Sequence, residues 1–147
     1  YPQEGYWHNF IEKWIDGKNV RYVGSADFHE KIKLYQNARG LLFPTQWPEP
    51  FGMVMIEAMS CGTPVIAWNN GSVPEVVQHK ETGFVVNSVG EMVRAIKSID
   101  KISREACRKR AQQFFSVEKM VTGYEKVYMK IMEQHRKKQI KSQAEKK

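Results

Sequence analysis

Short apolar runs alternating with helical stretches predict an α/β fold: a Rossmann-like parallel sheet with helices on both faces. Residues 40–43, 64–67 and 83–86 are apolar runs of strand length, each beginning at Gly or Pro. The stretches after them carry helical periodicity, and strands separated by helices pair in parallel. A chain of 147 residues is one domain at most, with room for one core. In such sheets a ligand sits beyond the carboxyl ends of the strands. The loops after Val23, Phe43, Ala67 and Val86 are therefore where function is expected.

Each element has its own signal. In residues 6–16, Phe10, Ile11 and Trp14 fall at helical spacing, and Gly17 stops the helix. Residues 20–23 read as a short strand closed by Gly24. Asp27 with Glu30 three positions on resembles a capping box, and Phe28, Ile32 and Tyr35 line one face of the helix that follows. After the 40–43 strand comes a loop with Pro44, Pro48 and Pro50, closed by Gly52. Residues 53–60 read as a helix ended by Gly62 and Pro64, with Gly62 a plain cap glycine. Ser72 is expected to cap a short helix whose first turn tolerates Pro74 and places Glu75 near the positive end of its dipole. A helix follows over about 89–98. From Ser103 the chain is all helix, with Ser103 and Ser116 as caps. Val117, Met120, Val121, Tyr124, Val127, Tyr128 and Ile131 form a long apolar stripe, expected to face a core.

Charge and composition narrow the function classes. Hydrophobic residues make up 41% and charged residues 27%, which excludes a disordered composition. No apolar run reaches the roughly 20 residues that span a bilayer. The net charge of +7 is concentrated at one end. Residues 135–147 hold six cations and one anion, +5 in all, leaving +2 for everything earlier. The tail is expected to be a solvated, disordered end, so nucleic acid is not an expected partner. Peripheral contact with an anionic membrane is the minority reading. Cys61 and Cys107 have no disulfide or metal-ligand spacing and suggest two reduced thiols in the cytoplasm. His8, His29, His79 and His135 show no ligand spacing either. The chain begins at Tyr1 without a leader, which says little if the true start lies upstream.

The chemistry concentrates in the loop after Phe43. It delivers the chain into a helix whose first-turn N–H groups and dipole favour an anion such as phosphate. Gly52 offers no side chain to obstruct approach. Glu49 and Glu57, eight positions apart, would repel a phosphate but are good acceptors for paired hydroxyls. A sugar nucleotide supplies hydroxyls at both ends. Glu57 is placed to accept from a ribose and Glu49 to face a transferred sugar. Taken singly, Glu57 reads as a solvated helix carboxylate and Glu49 as an exposed turn residue. Trp47 either shapes the acceptor side or packs in the core.

The segment from Glu49 to Ala58, EPFGMVMIEA, resembles the E-x7-E segment of family 4 glycosyltransferases, which have the GT-B fold. Its continuation MSCGTPVIA, then GSVPEVV from Gly71 and TGFVV from Thr82, match the same family in order. The resemblance covers residues 20–133. It implies that Glu49 lies near the donor sugar and the reacting centre, and that Glu57 holds the ribose. Backbone groups of Phe51, Gly52 and Met53 would contact sugar hydroxyls and the diphosphate, and Gly24, Ser25 and Ala26 would lie near the base. It further implies a retaining transfer of a hexose, or similar sugar, from a nucleotide-diphosphate donor to an acceptor hydroxyl. No metal or other cofactor is expected.

On this resemblance residues 1–134 form part of the donor-binding domain in the C-terminal half of a GT-B fold, ending in a long helix. The family's domain opens with two strands and a glycine-containing loop that brings an Arg and a Lys to the diphosphate. Those strands would lie between residues 20–23 and the rest of the sheet. An N-terminal domain would bind the acceptor, a sugar, a lipid or a small molecule. This chain contains neither part, so inactivity on its own is expected. The rival from another class is a non-catalytic α/β module that binds RNA or anionic membrane through its basic tail.

Overall fold

In the computed structural model, which describes residues 4–144, the three apolar runs become parallel strands β1 (Leu41–Phe43), β2 (Val65–Trp68) and β3 (Gly83–Val86). Their order in the sheet is β1-β2-β3. Leu41 pairs with Val65 and Phe43 with Ala67, while Val65 pairs with Gly83 and Trp68 with Val86. Val65, Ile66 and Ala67 are all buried. Consecutive strand side chains point to opposite faces, so the central strand is covered on both.

Helices supply that cover. Helix α3 (Met53–Ser60) packs on β1 and β2 and against α6 (Arg104–Phe115), whereas α5 (Val89–Ser98) packs on β2 and β3. The core joins Met55, Ile56, Ala58 and Met59 of α3 to the sheet, to Met92 and Ala95 of α5, and to Cys107 and Ala111 of α6. Burial pushes the Cys107 thiol up to about 11, so it stays protonated, and its Sγ lies 3.4 Å from the Thr82 carbonyl. Both cysteines are free thiols.

Local chemistry sets the helix ends. Asp27 and Glu30 form the reciprocal box at α2 (Phe28–Asn37): the Glu30 amide donates to Asp27 Oδ1 at 2.9 Å, and the Asp27 amide to Glu30 Oε2 at 3.0 Å. Ser103 accepts from the Ala106 amide at 3.2 Å, and Ser116 from the Lys119 amide at 3.3 Å. Helix α3 ends in a Schellman motif. The Thr63 amide donates to Ala58 O and the Gly62 amide to Met59 O, both at 2.8 Å. Gly62, at φ +79°, takes the left-handed position this motif requires.

Ser72 stands at the N-cap of α4 (Val73–Val76), but its hydroxyl does not cap. Its backbone is right-handed (φ −74°, ψ −9°) rather than extended, so the side chain is turned away from the first-turn amides.

The chain forms two compact units, Tyr1–Lys33 and Leu34–Lys147, the division falling inside α2. In the first unit, α1 (Glu4–Tyr6) runs into a π turn (Trp7–Ile11) and a 3-10 turn (Glu12–Trp14). The predicted helix is thus present but irregular. Asp16 Oδ1 accepts from the amides of Lys18, Asn19 and Val20, which holds its carboxyl well below the usual range. Trp7 and Tyr22 stack edge to face at 4.7 Å. Residues 20–23 do not form the predicted strand. A strand exists by its ladder, and no described strand pairs with these residues.

The last helix, α7 (Val117–Ala144), departs from expectation twice. Its apolar stripe is exposed, Val117 by 67% and Tyr124 by 58%, rather than packed in a core. Periodicity reports that one face is apolar, not that anything covers it. The helix also continues through His135 into the basic segment that charge alone suggested would be disordered. Lys, Gln, Arg and Ala are good helix formers, and Glu133 pairs with Lys137 one turn on at 2.7 Å. Residues 145–147 lie outside the described residues. No helix among the described residues is long and apolar enough to cross a membrane.

Two glycines give opposite predictions. A Cβ on Gly83 would run into the backbone of Val65 across the β2–β3 ladder, whereas one on Gly123, within α7, meets nothing within 4 Å. Gly83→Ala is expected to lower unfolding free energy by more than about 2 kcal/mol. Gly123→Ala should stabilise α7 by roughly 0.5–1 kcal/mol. Urea unfolding followed by circular dichroism reads both.

Candidate functional site

Parallel pairing brings the loops after the three strands to one edge of the sheet, and hydrogen bonds join them there. The Ser72 amide donates to Glu49 O at 2.9 Å, and Asn70 Nδ2 donates to Gln46 O at 2.6 Å. The Asn69 amide donates to Val86 O at 2.8 Å, while its side-chain amide donates to Asn87 Oδ1 at 2.9 Å. Gly71 is where the first two loops pass closest, since a Cβ there would strike the Glu49 backbone. The Glu49 main chain is therefore pinned by the loop after β2.

From Glu49 the chain turns into α3. Gly52 is the N-cap, buried and left-handed at φ +72°. A side chain there would run into the terminal methyl of Met55, and the left-handed φ disfavours any side chain at this position. The Gly52 amide donates to Glu49 Oε1 at 3.1 Å, and the Phe51 amide lies 3.5 Å from the same oxygen. A carboxylate thus sits at the positive end of α3, where backbone N–H groups and the helix dipole favour negative charge. A ligand oxygen that takes the Gly52 N–H displaces Glu49 from it. The Phe51 ring meets Phe115 edge to face at 6.3 Å. Arg110 lies over Phe114 at 4.3 Å and donates to Glu75 O at 2.7 Å, tying α6 to the end of α4.

Glu57 lies one turn into α3, about 6 Å along the axis from Met53. It is half-buried and accepts a hydrogen bond from the Tyr35 hydroxyl at 3.2 Å. Burial and the Glu57 charge push the Tyr35 phenol up to about 12, so it is a donor at neutral pH.

Of the residues singled out from sequence, Glu49, Phe51, Gly52, Met53 and Glu57 lie together on this loop and the first turns of α3. Phe51 and Met53 are exposed beside the buried Gly52. Gly24, Ser25 and Ala26 belong to the first compact unit, with Gly24 left-handed at φ +70°. Trp47 is 59% exposed and is not a core residue.

Sequence reasoning missed four contributors. Asn70, Gly71 and Ser72 act on Glu49 and its loop; the GSVPEVV signature marked that segment without saying what it touches. The periodicity puts Tyr35 on a helical face, but its partner is 22 positions away and no local spacing reveals it. The Ser72 hydroxyl is buried with no hydrogen-bond partner among the described residues. His79 has a structural role: its Nδ1 accepts from the Val85 amide at 3.1 Å. A concavity of about 390 Å³ is lined by His79 in the loop before β3, by Phe84 of β3, and by Glu91 and Arg94 of α5.

Comparison with known proteins follows the same outline. The family description "Glycosyl transferases group 1" matches residues 2–114. The N-acetyl-alpha-D-glucosaminyl L-malate synthase of Bacillus anthracis is 36% identical over 92 residues, 57% of this chain and 24% of that protein. A probable sucrose-phosphate synthase of Thermosipho melanesiensis is 33% identical over 132 residues, 84% of this chain and 31% of that protein. Among solved structures, the sucrose-phosphate synthase of Thermosynechococcus elongatus superposes with a TM-score of 0.70 at 29% identity. That match covers 87% of this chain and 34% of the other. Anabaena HepE in complex with UDP superposes with a TM-score of 0.57 at 27% identity, covering 78% of this chain and 32% of the other. The chain spans about a third or less of the length of these proteins. With its ordered motifs, its parallel sheet and a family match over most of its length, the chain belongs to the group 1 glycosyl transferases.

Proposed function

We propose that this chain is the donor-binding portion of a retaining glycosyltransferase of family 4. The enzyme would move a hexose, or similar sugar, from a nucleotide-diphosphate donor to an acceptor hydroxyl. The observation that carries the reading is the junction of the Glu49 loop with α3. There, two carboxylates and the N–H groups of Phe51 and Gly52 lie within about two helical turns, at the ligand-binding edge of the sheet. A sugar nucleotide has the matching groups: hydroxyls for the carboxylates, and a diphosphate for the N–H groups and dipole.

In this reading Glu57 accepts from the ribose and Glu49 turns from Gly52 toward the transferred sugar. The amides of Phe51, Gly52 and Met53 then serve the donor. Gly24, Ser25 and Ala26 are assigned to the base. Uridine is the favoured base, because HepE was crystallised with UDP. Departure of the nucleotide diphosphate is the step that most needs charge stabilisation. No metal is assigned to it, and a further part of the enzyme would supply cations and the acceptor site. No side chain here is assigned as a covalent nucleophile, so a same-face displacement is the mechanism proposed. The reaction is assigned to the cytoplasm, where both free thiols stay reduced.

Ligand-observed NMR with UDP, GDP and ADP, on the full-length polypeptide that carries these residues, tests the reading. Glu57→Ala should weaken the nucleotide that binds by on the order of 10- to 100-fold, the loss for a charge-assisted hydrogen bond. Deleting residues 136–147 should leave that affinity and its salt dependence unchanged. No binding by a folded parent, or binding lost with the tail and indifferent to Glu57, would overturn it in favour of an electrostatic RNA or membrane module.

A further inference from the structure

A glutamate one turn into a helix has three side-chain torsions to fix before its carboxylate presents a defined acceptor. At Glu57 part of that fixing comes from another helix, through the hydrogen bond from the Tyr35 hydroxyl to Oε2. We propose that Tyr35 is a positioning residue for the nucleotide's ribose, holding the Glu57 carboxylate in the orientation that accepts the ribose hydroxyls. The proposal rests on the donor-site reading of Glu57.

Tyr35 is itself held. Its backbone carbonyl accepts the Thr63 hydroxyl. The neighbouring carbonyls of Gln36 and Ala38 each accept from Arg104 at 2.8 Å, and Arg104 Nη2 also donates to Thr63 Oγ1 at 3.1 Å. These are carbonyls of the last turn of α2 and the residue beyond it, where helices need partners from outside. Thr63 is fully buried and directly follows Gly62, in the turn that ends α3. One clamp therefore ties the end of the helix carrying Tyr35 to the end of the helix carrying Glu57. The two side chains are kept in register although they are 22 residues apart in sequence.

The chemistry suits the role. An ionised carboxylate has about four lone-pair sites, so a phenol that takes one fixes the plane in which the others point. A protonated phenol adds no charge beside the diphosphate. Tyr35 also packs against the core through its ring, which Phe would preserve. Tyr35→Phe therefore removes the hydroxyl while keeping the packing.

The test uses the full-length polypeptide, the nucleoside diphosphate among UDP, GDP and ADP that it binds, and the 2′,3′-dideoxy analogue of that nucleotide. Tyr35→Phe should weaken the natural nucleotide roughly five- to tenfold, the worth of one well-placed hydrogen bond. It should leave the dideoxy analogue unchanged and cause no further loss in a Glu57→Ala background. Equal weakening of both nucleotides, or no weakening while Glu57→Ala still loses affinity, would overturn the positioning role and leave the donor reading standing. If Glu57→Ala binds like the parent, the donor reading fails and the proposal with it. A second readout needs no Tyr35 variant: ring-carbon shifts of Tyr35 should move on saturation with the nucleotide but not with the dideoxy analogue. A Tyr35 signal indifferent to a nucleotide that binds would also overturn the proposal.

Discussion

Val65–Trp68 hydrogen-bonds to a parallel strand on each side, and the arrangement of the candidate site hangs from that ladder. Parallel pairing forces every return crossing to the far end of the sheet, so the loops after β1, β2 and β3 gather at one edge. Val65, Ile66 and Ala67 are packed on both faces, so a slip of one residue would exchange side chains of different size between two close-packed layers, and packing holds the register. With the register fixed, the loop after β2 lies against Glu49, and Gly71 permits the contact that the Ser72 amide then secures.

Helix α3 serves two demands at once. Met55, Ile56, Ala58 and Met59 anchor it in the core, while Met53, Val54 and Glu57 face outward or lie half-covered. Its first turn opens at a left-handed glycine and its last closes in a Schellman turn. A helix so fixed at both ends presents its N-terminal amides and Glu57 as a rigid pair, which is what recognition of a long polar ligand needs. The Arg104–Thr63 clamp extends the same logic to Tyr35. Its hydrogen bonds are ordinary one by one, but they join two helix ends that would otherwise need separate caps.

Much of this was legible because the signals are local. Asp27 and Glu30 are three positions apart and close the box that this spacing announces, and the runs at 40–43, 64–67 and 83–86 needed only apolarity and their Gly or Pro boundaries. What escaped the sequence depends on partners. Residues 20–23 have strand composition, but a strand is a property of a pair. The stripe on α7 has helical period, but burial is a property of what lies opposite. Ser72 has the chemistry of a cap and the wrong backbone angles for one. The hydrogen bond between Tyr35 and Glu57 joins residues on separate helices, and only tertiary packing could disclose it.

The loop–helix junction is proposed to receive a sugar nucleotide. Amide chemical-shift mapping with UDP-glucose on the isotopically labelled full-length polypeptide tests it most directly. The largest shifts are expected at Phe51, Gly52, Met53 and Ser72, with the Gly52 amide changing most as Glu49 gives way to the ligand. Shifts confined to the groove of His79, Glu91 and Arg94, or to the basic end of α7, would contradict it.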